Sequence, residues 1–315
     1  MNIVIFGATS QIAKDLIISF SKRKKYNFIL FTRHVTLLKK WINCTNLDGN
    51  YQYCEYSQFN KNSKYDVIIN FVGIGDPKKL QDNECNILDI TYQYDAMILD
   101  YLGSNKETKY IFLSSGAVFG GNFNQPVNEK TVATIDINNF SSTDWYAMAK
   151  LYAEARHRAL LDLSIIDVRV FNYFSHRQSM AARFLITDIV RAMKSDEIFK
   201  TAPDNIVRDF LIPIDFYYLI QSIIDFRPVN LALDCYTNSP VKKYDLLAEL
   251  EDKYGLKYKV EQSIDIINAT GSKLNYYSVN KIAGSMGYKP INSSLEGIIK
   301  EVDVLLDTLL NCKAI

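Results

Sequence analysis

The chain has 315 residues, enough to bury a large core and to hold two lobes or one domain with a substantial appendage. Its 36 Lys and Arg balance 35 Asp and Glu, so no net field argues for nucleic acid or for an anionic membrane surface. Five scattered cysteines (Cys44, Cys54, Cys85, Cys235, Cys312), odd in number and without a CxxC spacing, argue against a disulfide framework or a metal site and predict reduced thiols in a cytoplasmic protein.

Met1 to Gly7 already reads as a buried strand. That leaves no room for a signal peptide, and no apolar run approaches a membrane span. Strand-like and helix-like stretches then alternate. Ile3–Phe6 is a short β run and Gln11–Phe20 carries helical apolar spacing, followed by the basic run Lys22-Arg23-Lys24-Lys25, which suits a helix C-terminus. Phe28–Phe31, Tyr51–Cys54, Val67–Val72, Tyr110–Ser114 and Ile165–Phe171 read as further strands, with helices over Glu84–Leu102 and Trp145–Leu161. Repeated β-α-β units with apolar strands imply an α/β fold, a doubly wound parallel sheet of the Rossmann type covered by helices on both faces.

Beyond about residue 172 the rhythm changes to helices over Met180–Met193, Asp215–Phe226 and Val241–Tyr254, with a strand near Val207–Ile212. Ser293 and Glu296 stand in capping-box spacing ahead of a helix to about Leu310. The expected division is a dinucleotide-binding domain over 1–172, rejoined by 204–228, and a smaller mixed substrate lobe from 173–203 and 229–315.

Between the first strand and first helix, Gly7-Ala8-Thr9-Ser10-Gln11-Ile12-Ala13 stands where a dinucleotide pyrophosphate meets a helix N-terminus. Against a GxxGxxG spacing only Gly7 survives, with Ser10 and Ala13 in the other places; against GxxxGxG the departures are Gln11 and Ala13. Gly7, Thr9, Ser10, Gln11 and Ile12 are the expected loop contacts. The second strand ends Phe31-Thr32-Arg33-His34 with no acid for an adenosine ribose. Thr32 and Arg33 face that position instead, and a guanidinium suits the extra phosphate of NADP; its alternative is an ordinary solvated arginine. Phe71, Val72 and Gly73, after the fourth strand, would pass beside the cofactor's nicotinamide half, and Glu55 closes the third strand near the adenine.

Ser114 and Ser115 end the Tyr110–Ser114 strand in a turn, Gly116-Ala117-Val118-Phe119-Gly120, at the ligand-facing edge of the sheet. On the next helix Tyr146 and Lys150 are four apart and share a face, a phenol beside an ammonium. That pairing suits proton transfer at a carbonyl or alcohol. The agreement in order of Gly7, the serine turn and the Tyr-Lys pair is what carries weight.

With these residues in place the chain resembles the extended short-chain dehydrogenase/reductase family, the NAD(P)-dependent nucleotide-sugar epimerase/dehydratase/reductase group, over nearly its whole length. The family's Ser-Ser-x-x-Val-Tyr-Gly matches with Phe119 at the Tyr place, which assigns Ser115 as the catalytic serine; Tyr146 and Lys150 match its Tyr-x-x-x-Lys. The resemblance further implies cofactor contacts from Asn86, Ser114 and Lys150. Arg169-Val170-Phe171-Asn172 resembles Arg-x-x-Asn, with Ser175-His176 replacing Gly-Pro. Arg208-Asp209-Phe210 resembles Arg-Asp-Phe, in which the arginine approaches the diphosphate of a sugar nucleotide. Ser278-Val279-Asn280-Lys281 with Met286-Gly287-Tyr288-Lys289-Pro290 resembles the closing segment. Gly116, Asn172, His176 and Arg208 are thereby implied at the substrate.

The dehydratases of the family place Asp-Glu after the catalytic serine; here Gly116-Ala117 stands there. The epimerising reductases carry a cysteine shortly after that serine, and none lies near Ser115. The simplest implied activity is NADPH-dependent reduction of a nucleotide-activated 4-keto-deoxy sugar for deoxyhexose and surface-polysaccharide synthesis, by a cytoplasmic homodimer paired through the Glu84–Leu102 and Trp145–Leu161 helices. The alternatives are a 4-epimerase that retains NAD, and a non-catalytic dinucleotide sensor.

Overall fold

The computed structural model describes residues 1–22, 26–73, 87–140, 142–262 and 273–312. Arg23, Lys24 and Lys25 of the basic run, Cys85, Asn86 and the start of the Glu84–Leu102 helix lie outside the described residues.

Short runs rich in Ile, Val, Phe and Tyr form the strands, because branched and aromatic side chains pack on a pleated surface. In chain order they are β1 (Asn2–Phe6), β2 (Asn27–Phe31), β3 (Asn50–Cys54), β4 (Val67–Asn70), β5 (Lys109–Ser115), β6 (Ile165–Val170) and β7 (Asn172–Tyr173). Then come β8 (Phe199–Thr201), β9 (Val207–Arg208), β10 (Phe210–Leu211), β11 (Asn230–Asp234), β12 (Val241–Lys242), β13 (Tyr258–Val260) and β14 (Asn275–Tyr276). The helices are α1 (Gln11–Ser21), α2 (Val35–Cys44), α3 (Ile87–Ser104), α4 (Ser142–Arg158), α5 (Leu185–Ser195), α6 (Pro213–Asp225), α7 (Lys243–Tyr254) and α8 (Ser294–Cys312).

Seven strands form one sheet in the order β11-β6-β5-β4-β1-β2-β3, parallel at every pairing. Alternate side chains serve its two faces. Ile3 and Ile5 point to α1, α2 and α6, where Leu16, Phe20, Leu38, Phe216 and Ile220 complete the layer. Val4 and Phe6 point the other way, to Ile98, Tyr101 and Leu102 of α3 and Ala153 of α4. The chain reverses its direction of growth between β1 and β4, and there the carboxyl ends of the strands open the ligand crevice.

The second lobe has its own core from Ile186, Ile189 and Val190 of α5, Leu246, Leu247 and Leu250 of α7, and Ile298 and Val302 of α8. Ser293 and Glu296 form the predicted box ahead of α8: the Ser293 hydroxyl accepts from the Glu296 amide at 3.2 Å while the Ser293 amide donates back to the Glu296 carboxylate at 2.8 Å.

Three features depart from the sequence reading. Helix α2 was not foreseen; it shows only Leu38 and Ile42 as buried anchors. Asn230–Asp234, placed by sequence in the second lobe, is the edge strand of the main sheet, registered against Ile165–Arg169. The expected strand near Val207–Ile212 is two, β9 and β10, because buried Asp209 turns inward between them. Its carboxylate accepts from the Thr237 hydroxyl (2.5 Å), the Ser294 hydroxyl (2.7 Å) and the Thr237 amide (3.0 Å). No described helix is long and apolar enough to cross a membrane, and no cluster of metal-ligating side chains occurs among the described residues.

Candidate active site

At the head of β1 the chain turns on Gly7 with φ of +73°, in the left-handed region. A β-carbon there would lie 3.0 Å from the Phe71 carbonyl carbon and 3.1 Å from the Val72 amide nitrogen. The neighbouring strand end therefore demands glycine before any ligand does. Ser10 is the N-cap of α1, its hydroxyl accepting from the Ala13 amide at 3.3 Å, and Ala13 is fully buried against the core. The next amides, those of Gln11 and Ile12, have no intrahelical carbonyl to bond, and such a helix start favours an anion.

The side chains of this loop go elsewhere. Gln11 donates to both carboxylate oxygens of buried Asp15 at 3.2 Å, Ile12 packs on the core, and the Thr9 and Thr32 hydroxyls lie 3.4 Å apart. Phe71 is buried against Phe216, Val72 leans on the opposite core, and the Val72 amide donates to the Asn70 side chain at 2.9 Å. Phe71 and Val72 thus offer the crevice backbone only. Arg33 is exposed at the end of β2, and its charge is felt by Tyr56, whose hydroxyl accepts from the Gly7 amide at 3.1 Å. Burial outweighs that charge and pushes the Tyr56 phenol up to about 12, so it stays a neutral brace under the loop. The bare Gly73 lets the Lys150 ammonium come close: a β-carbon would stand 3.3 Å from Nζ. A capped helix N-terminus, a turn that only glycine fits and a bare glycine beside Lys150 form a cradle suited to a dinucleotide.

On α4 the sheet-facing stripe reads Tyr146, Lys150, Glu154, His157, spaced so that every member falls on one side of the helix. Tyr146 hydrogen-bonds the Ser115 hydroxyl; burial raises its phenol and that bond opposes the rise. Lys150 donates to the Leu113 carbonyl at 2.7 Å and lies 4.4 Å from the Phe112 ring centre and 6.0 Å from that of Tyr146. Burial lowers its ammonium to about 8, against the opposing pull of Asp95, Asp167 and Glu154. The three residues predicted from motif spacing are therefore brought together.

The other predicted positions divide. Ser114 spends its hydroxyl on Glu154 at 2.5 Å, and Glu154 is held in turn by Arg169 at 2.5 Å, so Ser114 faces the helix and not the crevice. Gly116 is required by packing, since a β-carbon would come within 2.3 Å of the Phe171 ring. Asn172 ties strands together, its amide donating to the Tyr276 carbonyl at 3.1 Å and the Asp209 carbonyl at 3.3 Å. His176 binds Glu301 of α8 through its amide (2.7 Å) and Nδ1 (2.6 Å). Arg208 is buried with its guanidinium on the Val207 carbonyl at 2.9 Å and 5.9 Å from the Tyr276 ring centre; burial lowers it to about 10.

Several contributors carried no sequence signal. Tyr276 sits beside Ser115, 3.4 Å between the two hydroxyl oxygens, from a strand 161 residues away. Lys273 lies 4.7 Å from the ring centres of Phe123 and Tyr276. Near the C-terminal end of α4, fully buried His157 bridges Asp167 (2.6 Å) and Asp95 (2.8 Å), and Asp95 also accepts from the Tyr110 hydroxyl at 2.9 Å. Burial alone would lower that imidazole, but the two carboxylates win and raise it to about 9. Asp15 joins α1 to β7 by accepting from the Tyr173 hydroxyl at 3.0 Å. Each of these pairings depends on the fold for its proximity, which no spacing in one segment reveals.

Fold and site define a Rossmann-type doubly wound sheet with Ser115, Tyr146 and Lys150 gathered near its switch point. The model of the NAD dependent epimerase/dehydratase family matches residues 3–223, and the chain belongs to that family. A search of curated proteins finds no match. Among solved structures, the chain is similar to a UDP-glucuronic acid 4-epimerase from Bacillus cereus in complex with UDP-glucuronic acid and NAD. They share 17% identity over 98% of this chain and 100% of that one, at a TM-score of 0.75. A UDP-glucose 4-epimerase from Thermotoga maritima with UDP-glucose is 16% identical over 98% and 100% of the two chains, TM-score 0.76. A dTDP-glucose 4,6-dehydratase from Bacillus anthracis in complex with NAD is 16% identical over 98% and 97%, TM-score 0.75. At these identities the likeness is one of fold.

Proposed function

We propose that this protein is an NAD(P)-dependent oxidoreductase of a nucleotide-activated sugar, reducing the ketone of a 4-keto-deoxy sugar with NADPH. The observation that carries the reading is Tyr146 beside Ser115, with the Lys150 ammonium 6.0 Å from its ring centre, while Gly116 and Ala117 in the following turn supply no acid or base for eliminating water.

Gly7, the N-terminus of α1, Arg33 and Lys150 would hold the dinucleotide, which when bound supplies the hydride. Ser115 hydrogen-bonds the carbonyl oxygen and polarises it. Tyr146 gives its proton to that oxygen as negative charge develops there, and solvent returns a proton to the phenolate. The Lys150 ammonium, 6.0 Å from the Tyr146 ring centre, would favour that phenolate over the neutral phenol as it forms. Arg208, beside Tyr276, would meet the diphosphate.

The second reading is a 4-epimerase, favoured by the NAD in the Bacillus cereus epimerase complex and the shared fold. The same three residues would then take the proton and return it. A homodimer through α3 and α4 belongs to either reading. Tyr92 and Tyr152 are exposed on those helices and stack at 6.1 Å, with Arg156 lying 4.6 Å from the Tyr92 ring centre.

The test is identification of the dinucleotide retained on purification, then NADPH oxidation with CDP-, dTDP-, GDP- and UDP-linked 4-keto-6-deoxy sugars, with product stereochemistry by NMR. Consumption of NADPH with formation of the alcohol is expected. Tightly retained NAD with interconversion of UDP-glucose and UDP-galactose overturns the reductase in favour of the epimerase. Inactivity in both assays overturns both and leaves a dinucleotide sensor.

A further inference from the structure

We infer that Tyr276 is a positioning residue for proton transfer: its phenol holds the Ser115 hydroxyl so that the serine proton points at Tyr146 and the substrate oxygen. This rests on the oxidoreductase reading above and adds a residue to it from the C-terminal part of the chain.

A serine hydroxyl has one proton and two lone pairs. Around Ser115 Oγ the Ala117 amide stands at 3.2 Å and can only donate, which fills one lone pair. The Tyr276 hydroxyl stands at 3.4 Å, and the Tyr146 phenol is the third partner. If Tyr276 donates, both lone pairs are filled and the single serine proton is left for Tyr146, or for the oxygen of a bound substrate. If Tyr276 accepted instead, that proton would be turned away from the reaction. Two features favour the donor role. Lys273 and Arg208 put positive charge by the face of the Tyr276 ring, which discourages the phenol oxygen from taking a further proton. Burial keeps the phenol itself protonated.

The ring is also held in place. Phe123 and Phe171 pack against it edge-on at 4.7 and 5.3 Å between centres, and the Asn172 amide fixes its carbonyl at 3.1 Å. Its strand, β14, is registered on β9 with Tyr276 opposite Arg208. The serine is therefore oriented by the strand that pairs with the one carrying the proposed diphosphate anchor, so the proton-transfer set is complete only when β14 is seated on β9.

The test compares Tyr276→Phe in the native and Ser115→Ala backgrounds, using whichever sugar nucleotide the wild-type enzyme turns over best. Tyr276→Phe is expected to lower kcat about tenfold, the worth of one oriented hydrogen bond, with little change in KM. In the Ser115→Ala background it should cost nothing further, because Tyr276 acts through the serine. Equal losses in both backgrounds would mean a packing role and overturn the inference. Should the wild type turn over no sugar nucleotide, the functional reading falls and a second measurement decides this one. In isotope-labelled tyrosine NMR, with the Tyr146 phenol assigned from Tyr146→Phe, Tyr276→Phe should raise the Tyr146 pKa by about half a unit. The shift should vanish in Ser115→Ala. A Tyr146 titration that does not move, or moves equally in both backgrounds, overturns the inference.

Discussion

At the N-terminal turn the chain works with its backbone. Gly7 is fixed by a positive φ and by the Phe71 carbonyl, Ser10 closes the helix end, and Ala13 disappears into the core. At α4 it works with side chains: the Tyr146 phenol, the Lys150 ammonium and the Ser115 hydroxyl each meet a named neighbour. The difference explains why two of the glycines expected in such a loop can be absent while the Ser-Tyr-Lys set is intact. A turn that presents amides tolerates any residue that keeps the amides in place. A proton path tolerates no change of functional group.

The comparison can be broken first where the effect is largest. Tyr146→Phe removes the proposed proton donor and is expected to lower turnover about 10³-fold while dinucleotide affinity, measured by calorimetry, stays within about twofold. Comparable losses of both would mean that Tyr146 serves the cradle.

The support beneath α4 is tested by stability against pH. His157 is raised from 6.5 to about 9 in the fold. Its contribution is therefore fully present below about pH 6.5 and is lost as pH rises through about 9. Denaturant titrations should show on the order of 3 kcal/mol lost over that window in the native protein and much less of that loss in His157→Gln. Parallel curves for the two proteins would contradict the bridged imidazolium.

Gly7→Ala adds a β-carbon where the backbone has no room, and we expect a loss of about 2 kcal/mol in unfolding free energy from strain alone. On the proposed mechanism Lys150 should set the alkaline limit of activity. With its ammonium lowered to about 8, the charge is present below that pH and lost above it, so the rate should fall as pH rises through about 8. Lys150→Arg, which stays charged, should move that limb upward even at reduced rate. The smallest effect is Ser10→Gly, a change toward the expected glycine pattern. It should alter stability by a few tenths of a kcal/mol and dinucleotide affinity by less than about threefold. A large gain in affinity would show that the loop is defective and not merely differently built.

The same contrast governs how much of the molecule was legible in its sequence. Strands such as Ile3–Phe6, the Ser293–Glu296 box and the Tyr146–Lys150 spacing are local, and local patterns show in one segment. Helix α2, with two buried anchors, and β11, an edge strand without alternation, were hidden because their faces are defined by what packs on them. Ser114 was misread for a related reason: both serines end β5, but adjacent strand residues point to opposite faces, and only the fold shows Glu154 waiting on one of them. Tyr276, Asp15 and His157 matter through partners distant in sequence or on other elements. Their chemistry emerges only once the chain has folded.

The central claim is that Ser115, Tyr146 and Lys150 move a proton at a sugar-nucleotide oxygen while a bound dinucleotide changes its oxidation state. Its most direct measurement is parallel incubation of wild type and Tyr146→Phe with NADPH and the 4-keto sugar nucleotides, and with UDP-glucose for the epimerase, followed by NMR of the products. Wild-type protein should form a new sugar stereocentre that the variant forms at least about 10²-fold more slowly. A wild type and a variant that give the same product at the same rate would contradict the account.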